Sequence, residues 1–498
     1  MERKMRKPEG ELVFKAKEIW NRLRLIDLDK KEREVLVLKL TKLLGGKVVD
    51  ICLKHDGSRI IQSLYKYGTP EQRSALTAEL LKSVVPICKT KHGRFLAISM
   101  LRYGSKKDIE AFVDAIRGKL FSMATHQIAS VGYRIDRYYY AYEEILTARQ
   151  SFLLFEELYH RQYINVKDTE AESIHDILKK VPFLKSQIIE NLSNILFIIQ
   201  INKGLLDHSY AHKLIYEFIQ IADPKRVIIL MDQLDTAFPA LSTTALGSKA
   251  AVEGLNYCNN KNKKKIIKSY KGIIVDTCVH QFGFAIMIKL LFCVDDMVIL
   301  TKSVFSEISQ GYDRLLASSR GCRVLLSIIA PKSRRYFSDM SWFEVPTFTI
   351  KNDKGENEEI CTAKKDYDVR VKELQAKLNL TPVLLDSASI IASNPKAVPV
   401  LMEYMKLTDE ETQEKLAAVR VEAQKIAADP NLQKQEEESE QIQKKESEEE
   451  EDDEEREDDE EEEDGEEDDG EDDDEEEVNE DGTAEEGDSD EDMEEESQ

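Results

Sequence analysis

The chain has 498 residues, 41% of them hydrophobic and 33% charged, with a formal net charge of −26. That average conceals a division: residues 431–498 hold 43 acidic against 4 basic side chains, a net −39, while the preceding 430 residues carry +13. No apolar run reaches the roughly 18 residues of a membrane helix, the N-terminus MERKMRKPEG lacks the apolar stretch of a secretory signal, and the seven cysteines form no CxxC pair and no zinc spacing with histidine, so the sequence reads as a soluble intracellular protein with reduced, mostly buried thiols.

Along the chain, residues 1–14 form a basic N-terminal segment, and from there the sequence repeats itself. KHDGSRIIQSLYKYG at 54–68 has a counterpart in TKHGRFLAISMLRYG at 90–104, which sets Gly57 and Gly93 36 residues apart. A further 36 reaches Ala129, and the pattern resumes at Ala211, Gly247 and Gly283 in steps of 36, then at Gly321 after 38. The 82 residues between Ala129 and Ala211 leave room for one irregular unit near 160–195. Each unit carries a small anchor residue, apolar positions three and four apart such as Ile60, Ile61 and Leu64, a polar loop, and a second amphipathic stretch such as EQRSALTAELLKSV. That spacing is helical, and a small anchor suits close helix approach. Units that bury apolar faces only against neighbours stack into an array. The predicted fold is therefore an all-α, right-handed helical-repeat solenoid, with repeats over 15–150 and 151–345 and a helical region over 346–430. The stretch 431–498 has no apolar periodicity and repels itself, so it is expected to be a disordered acidic tail.

The sequence contains no P-loop, GxGxxG, HExxH or GxSxG element. No enzyme, metal or cofactor is predicted. Acid pairs such as Asp295 and Asp296 fall on polar faces, and His55, His92, His126 and His212 near the anchors read as packing residues. Basic runs at 3–7 and 261–265 are candidates for nuclear import. Helical repeats of this length most often bind proteins, but Ser58, Arg59 and Gln62 point elsewhere. Ser58 and Gln62 are four apart, one turn up the same helix face. A hydroxyl and an amide at that separation can meet two positions of a base edge, and the guanidinium between them can stack on a base.

At these residues the sequence resembles a known family. HDGSRIIQSLYKYGTPEQR is similar to a Pumilio-homology (PUF) repeat, in which side chains at these three positions of the second helix read one RNA base. TKHGRFLAISMLRYGSKKDIEAF, HQIASVGYRIDRYYYAYEE, LDHSYAHKLIYEF, GCRVLLSIIAPKS and AKKDYDVRVKEL follow in the order of the nucleolar Puf-A-like branch, so the resemblance covers roughly residues 15–405. It implies an L-shaped array of Pumilio repeats that binds RNA or DNA with little sequence preference. It also implies a role in large ribosomal subunit biogenesis and pre-rRNA processing, with pre-60S particles as partners and a nuclear, nucleolar location.

The aligned triplets, one, two and five positions after each anchor, depart from a base code. They are Arg94, Phe95 and Ile98; Ser130, Val131 and Arg134; His212, Lys213 and Tyr216; Ser248, Lys249 and Val252; Phe284, Ala285 and Ile288; and Cys322, Arg323 and Leu326. Ile98, Val252, Ile288 and Leu326 offer a base edge nothing. What recurs is positive charge at Arg59, Arg94, Arg134, Lys213, Lys249 and Arg323, which suits phosphate contact. The candidate nucleic-acid-binding set is these cations with Ser58, Gln62, Phe95, His212 and Ser248. Phe284, among apolar neighbours, is read as core. Two alternatives stay open: a sequence-specific mRNA-binding translational regulator, supported only by the first unit, and a scaffold or chaperone whose tail holds basic ribosomal proteins or histones. The tail is also expected to compete with nucleic acid for the basic body, because tethering raises its effective concentration.

Overall fold

The first two 36-residue units each fold as three helices, one more than their amphipathic pattern announces. The first unit runs Lys30–Leu44, Val48–Cys52 and His55–Tyr67 (α1), and the second Pro70–Leu80, Val84–Cys88 and Arg94–Tyr103 (α2). The short middle helix, VVDIC in one unit and VVPIC in the next, is too brief to show a period. It explains two cysteines, since Cys52 and Cys88 close it with buried thiols that desolvation pushes up to about 12. Entry to the second unit and to the one after it is set by a cap: Thr69 and Gln72 form a reciprocal box at Pro70, and Ser105 and Asp108 form the next.

The computed structural model describes residues 10–25, 28–124, 126, 152, 157–159, 171, 173–201, 203–351 and 356–428. The chain divides into two units, Met1–Ile426 and Ala427–Gln498. The architecture below is that of the first. The anchor helix expected at Ala129, with Ser130 and Arg134, and the acidic tail lie outside the described residues.

Further anchor helices are Ser209–Ile221 (α3), Ala245–Gly254 (α4), Gly283–Cys293 (α5) and Ser319–Ile329 (α6). The segment near 160–195 resolves into Ile174–Lys180 and Lys185–Ile201, and the latter is the first helix of the α3 unit. A further anchor helix, Ala397–Met405 (α7), follows α6. Its anchor Ala397 was missed because it lies 76 residues beyond Gly321. Side by side, α1 packs on α2, and α3, α4, α5, α6 and α7 pack in succession.

The glycine anchors are small because the backbone of the preceding helix stands behind them. A Cβ on Gly57 would lie 2.0 Å from the Ile51 carbonyl oxygen, and one on Gly321 2.4 Å from that of Leu315, in each case the residue six earlier. A second recurring device was not legible in the sequence. The Glu79 carboxylate accepts the Gly46 and Val48 amides (3.3 and 2.9 Å), and Glu307 accepts those of Gly272 and Ile274 (2.8 and 3.2 Å), so a carboxylate from one unit caps the middle helix of the unit before.

The insertion between α6 and α7 is a correction to the all-helical region expected from 346. It contains an antiparallel ribbon, β1 (Phe348–Lys351) and β2 (Asn357–Ile360), in register Phe348 to Ile360. The chain doubles back across earlier units to build it. Phe348 packs on Tyr257 with ring centres 4.8 Å apart, and Ser341–Phe343 lies on α5. Three buried cations pin this belt. Lys263 Nζ donates to the Cys293 and Thr362 carbonyls (2.8 and 2.9 Å), Lys289 Nζ to those of Ser341 (2.8 Å) and Glu344, and the Arg370 guanidinium to the Val294 carbonyl and the Asp295 carboxylate. Asp295 is thus a structural counter-ion.

Candidate nucleic-acid interface

The residue after the anchor is buried on α1, α3, α4, α5 and α6, and on α1, α3 and α4 it is a polar side chain that ties one unit to the next. Ser58 Oγ donates to the His92 carbonyl at 2.8 Å and accepts from Gln62 Nε2 at 3.1 Å, and Ser248 Oγ donates to the Phe282 carbonyl at 2.8 Å. Both carbonyls directly precede the next anchor glycine, so the two serines make one and the same staple 190 positions apart. His212 staples by other means: its Nδ1 lies 2.7 Å from Thr244 Oγ1 and its Nε2 2.8 Å from the Leu206 carbonyl. The imidazole is wholly buried, and desolvation pushes it down to about 4, so it is neutral. Cys322 occupies the same position and accepts from Asn394 Nδ2. Ser58, Ser248 and His212 therefore leave the candidate set: each is buried and its polar atoms are engaged inside the fold. Gln62, half-buried, has its amide on Ser58 in place of a base edge.

The next position carries the outward charge. Lys249 and Arg323 are exposed, and Arg59, Lys213 and Phe95 are half-buried. Arg94, one position earlier, lies half-buried with its guanidinium 4.7 Å from the Phe95 ring centre. At the fifth position Val252, Ile288 and Leu326 are buried. The structure thus sorts the predicted set into inward staples and an outward row of side chains in which cations predominate.

The row is not uniformly positive. Glu217 and Glu253 stand four residues after Lys213 and Lys249, a same-face spacing that a census of cations alone passes over. Burial holds both carboxyls above the ordinary range; Lys213 and the Tyr159 hydroxyl oppose this at Glu217, and Asp339 adds to it at Glu253. On α5 the row is interrupted. Phe284, Ala285 and Ile288 are all buried, as expected for Phe284, with Trp342 set edge-on to the Phe284 ring at 5.5 Å. The basic run at 261–265 is also largely engaged. Lys263 is buried, Lys264 pairs with Asp296 (3.0 Å) and Lys265 with Asp235 (2.6 Å). Among the described residues no cluster suited to a metal ion is found.

A CPL (NUC119) domain profile matches residues 317–448, the stretch that begins just before α6 and includes the belt and α7. The solved chain of human Puf-A in complex with DNA superposes with a TM-score of 0.71 at 26% identity, covering 80% of this chain and 77% of that one. The chain belongs to the Pumilio-homology family. Among Pumilio relatives, the rat Pumilio homolog 3 is 28% identical over 379 residues, 76% of this chain and 56% of that protein. The fission yeast Pumilio homology domain family member 6 is 27% identical over 396 residues, 79% of this chain and 59% of that protein. This Pumilio-homology chain thus spans a little over half the length of these relatives. Its inward serines show how a Pumilio repeat keeps its motif residues while turning them to packing.

Proposed function

We infer that this chain binds RNA, and DNA as well, through backbone phosphates with low sequence selectivity, and that it acts on precursor ribosomal RNA during large-subunit assembly in the nucleolus. One observation carries the reading: in unit after unit the base-edge positions are stapled inward or apolar, while Lys249 and Arg323 beside them reach solvent. Phosphate contacts fix position and carry no sequence information. The likeness to a Puf-A chain solved with DNA, and to Pumilio homolog 3, supports the same class of ligand.

Fluorescence anisotropy with two unrelated RNAs and one DNA at several salt concentrations tests it. Replacing Lys213, Lys249 and Arg323 by Glu weakens binding to every sequence alike, and each lost contact flattens the plot of log affinity against log salt by about 0.7 for a single strand. Gln62→Ala leaves affinity and slope unchanged. If Gln62→Ala abolished binding and the charge reversals spared it, the protein would be a base reader. Co-sedimentation of the tagged chain with pre-60S particles, and its imaging in the nucleolus, test the cellular part.

A further inference from the structure

The cation found two positions after the anchor on α1, α3, α4 and α6 is replaced by Phe95 on α2, where Arg94 stands one position earlier, and by Ala285 on α5 with no cation beside it. On α5 it is missing where the belt crosses. Trp342 meets the Phe284 ring edge-on at 5.5 Å, Phe343 meets Phe292 at 4.9 Å, and the Ser341 and Glu344 carbonyls close over the Lys289 ammonium. Arg320 and Arg323 lie 5.4 and 5.9 Å from the Phe284 ring centre, so an aromatic ring flanked by two guanidinium groups, a platform suited to a nucleobase, already has an indole packed at right angles against it. The belt also brings charge of the wrong sign, since Asp339 lies close enough to raise the Glu253 carboxyl and the Tyr216 hydroxyl.

We propose that Trp342 is a built-in occupant of the aromatic platform on α5, and that the 331–345 segment closes this unit to single-stranded nucleic acid and interrupts the track between Lys249 on α4 and Arg323 on α6. This rests on the nucleic-acid reading above. The occupant is held in place: Phe337 and Phe343 are buried and meet edge to face with ring centres 4.9 Å apart, and Lys289, itself buried, is bonded to the segment's backbone. A strand following the anchor helices thus finds no base platform on this unit.

The two tryptophans, Trp20 and Trp342, allow a direct test in the full chain. In Trp20→Phe, Trp342 reports alone while labelled oligouridine is titrated and its anisotropy is followed. Emission from Trp342 stays constant as the RNA saturates. A shift or quench in step with binding would overturn the proposal, because the indole would then be lifted away or in contact with RNA. Trp342→Ala, checked for folding by its melting curve, tightens oligouridine binding about fivefold or more, the scale of one added base–aromatic stack. Unchanged or weaker binding by the folded variant would overturn the proposal too. Should it fail to fold, the emission experiment still decides. No anisotropy change with any protein would be a different failure, removing the nucleic-acid reading and this inference with it.

Discussion

Protonating His212 breaks a joint. Folding lowers its pKa to about 4 from an ordinary 6.5, so the unfolded chain binds the proton more readily. The stability that His212 contributes is fully present above pH 6.5 and is lost as pH falls from there toward 4. Between pH 7 and pH 5 the loss is on the order of 2 kcal/mol. Urea midpoints should drop across that window in the wild type, and His212→Gln should flatten the dependence; equal slopes would show that another group governs it. Ser58→Ala removes a bond of the same joint type and should cost about 1 kcal/mol. RNA affinity at matched salt should not change, because the hydroxyl is enclosed.

At the scale of elements, the carboxylate caps are the most exposed test of how units are coupled. Glu79→Ala and Glu307→Ala each leave two amides without their charged acceptor, with an expected loss of about 1.5–3 kcal/mol per site. Hydrogen exchange should rise first in Val48–Cys52 for Glu79→Ala and in Ile274–Val279 for Glu307→Ala. Uniform acceleration across all units would mean that the caps are not local. These caps also mark what the sequence hid. The 36-residue period and the anchor glycines were legible, because a Cβ forbidden by a neighbouring carbonyl leaves a residue type behind. The caps were not, since an acid in one unit and an amide in another share no local pattern. The serine motif misled for a related reason: the side chains that would meet a base edge also fit a carbonyl one unit away, and only the packing decides between them.

Across the whole molecule, the belt joins residues that the repeats would keep apart. Lys263 and Thr362 are 99 positions apart, and Thr362 and Asn256 106. Arg370, 2% exposed, carries much of this closure. Arg370→Met leaves the Asp295 carboxylate and the Val294 carbonyl without their cation, and a loss of about 3 kcal/mol is expected. Limited proteolysis should then cut within 345–365 before any cut in α3 or α4. Wild-type resistance in the variant would show that Lys263 and Lys289 hold the belt unaided. None of this was visible in AKKDYDVRVKEL, where Arg370 reads as one charged residue among many, because a buried arginine is recognisable only by the carboxylate that meets it 75 positions away.

The crossing of α5 also sets an order of events during synthesis. Every residue of α5 is buried in the finished protein, and Ser341, the first residue of the turn that covers it, lies 48 positions after Cys293. At typical elongation speeds of about 5–20 residues per second, that gap leaves the helix uncovered on the ribosome for roughly 2–10 s. During that time Phe284, Ile288 and Phe292 form a greasy strip that a nascent-chain chaperone would find and later surrender to Trp342 and Phe343. Neighbour-to-neighbour stacking needs no such wait, so refolding from denaturant should show a fast phase for the units and a slower one as tryptophan fluorescence settles, the last step being the belt closing over the helix it was made after.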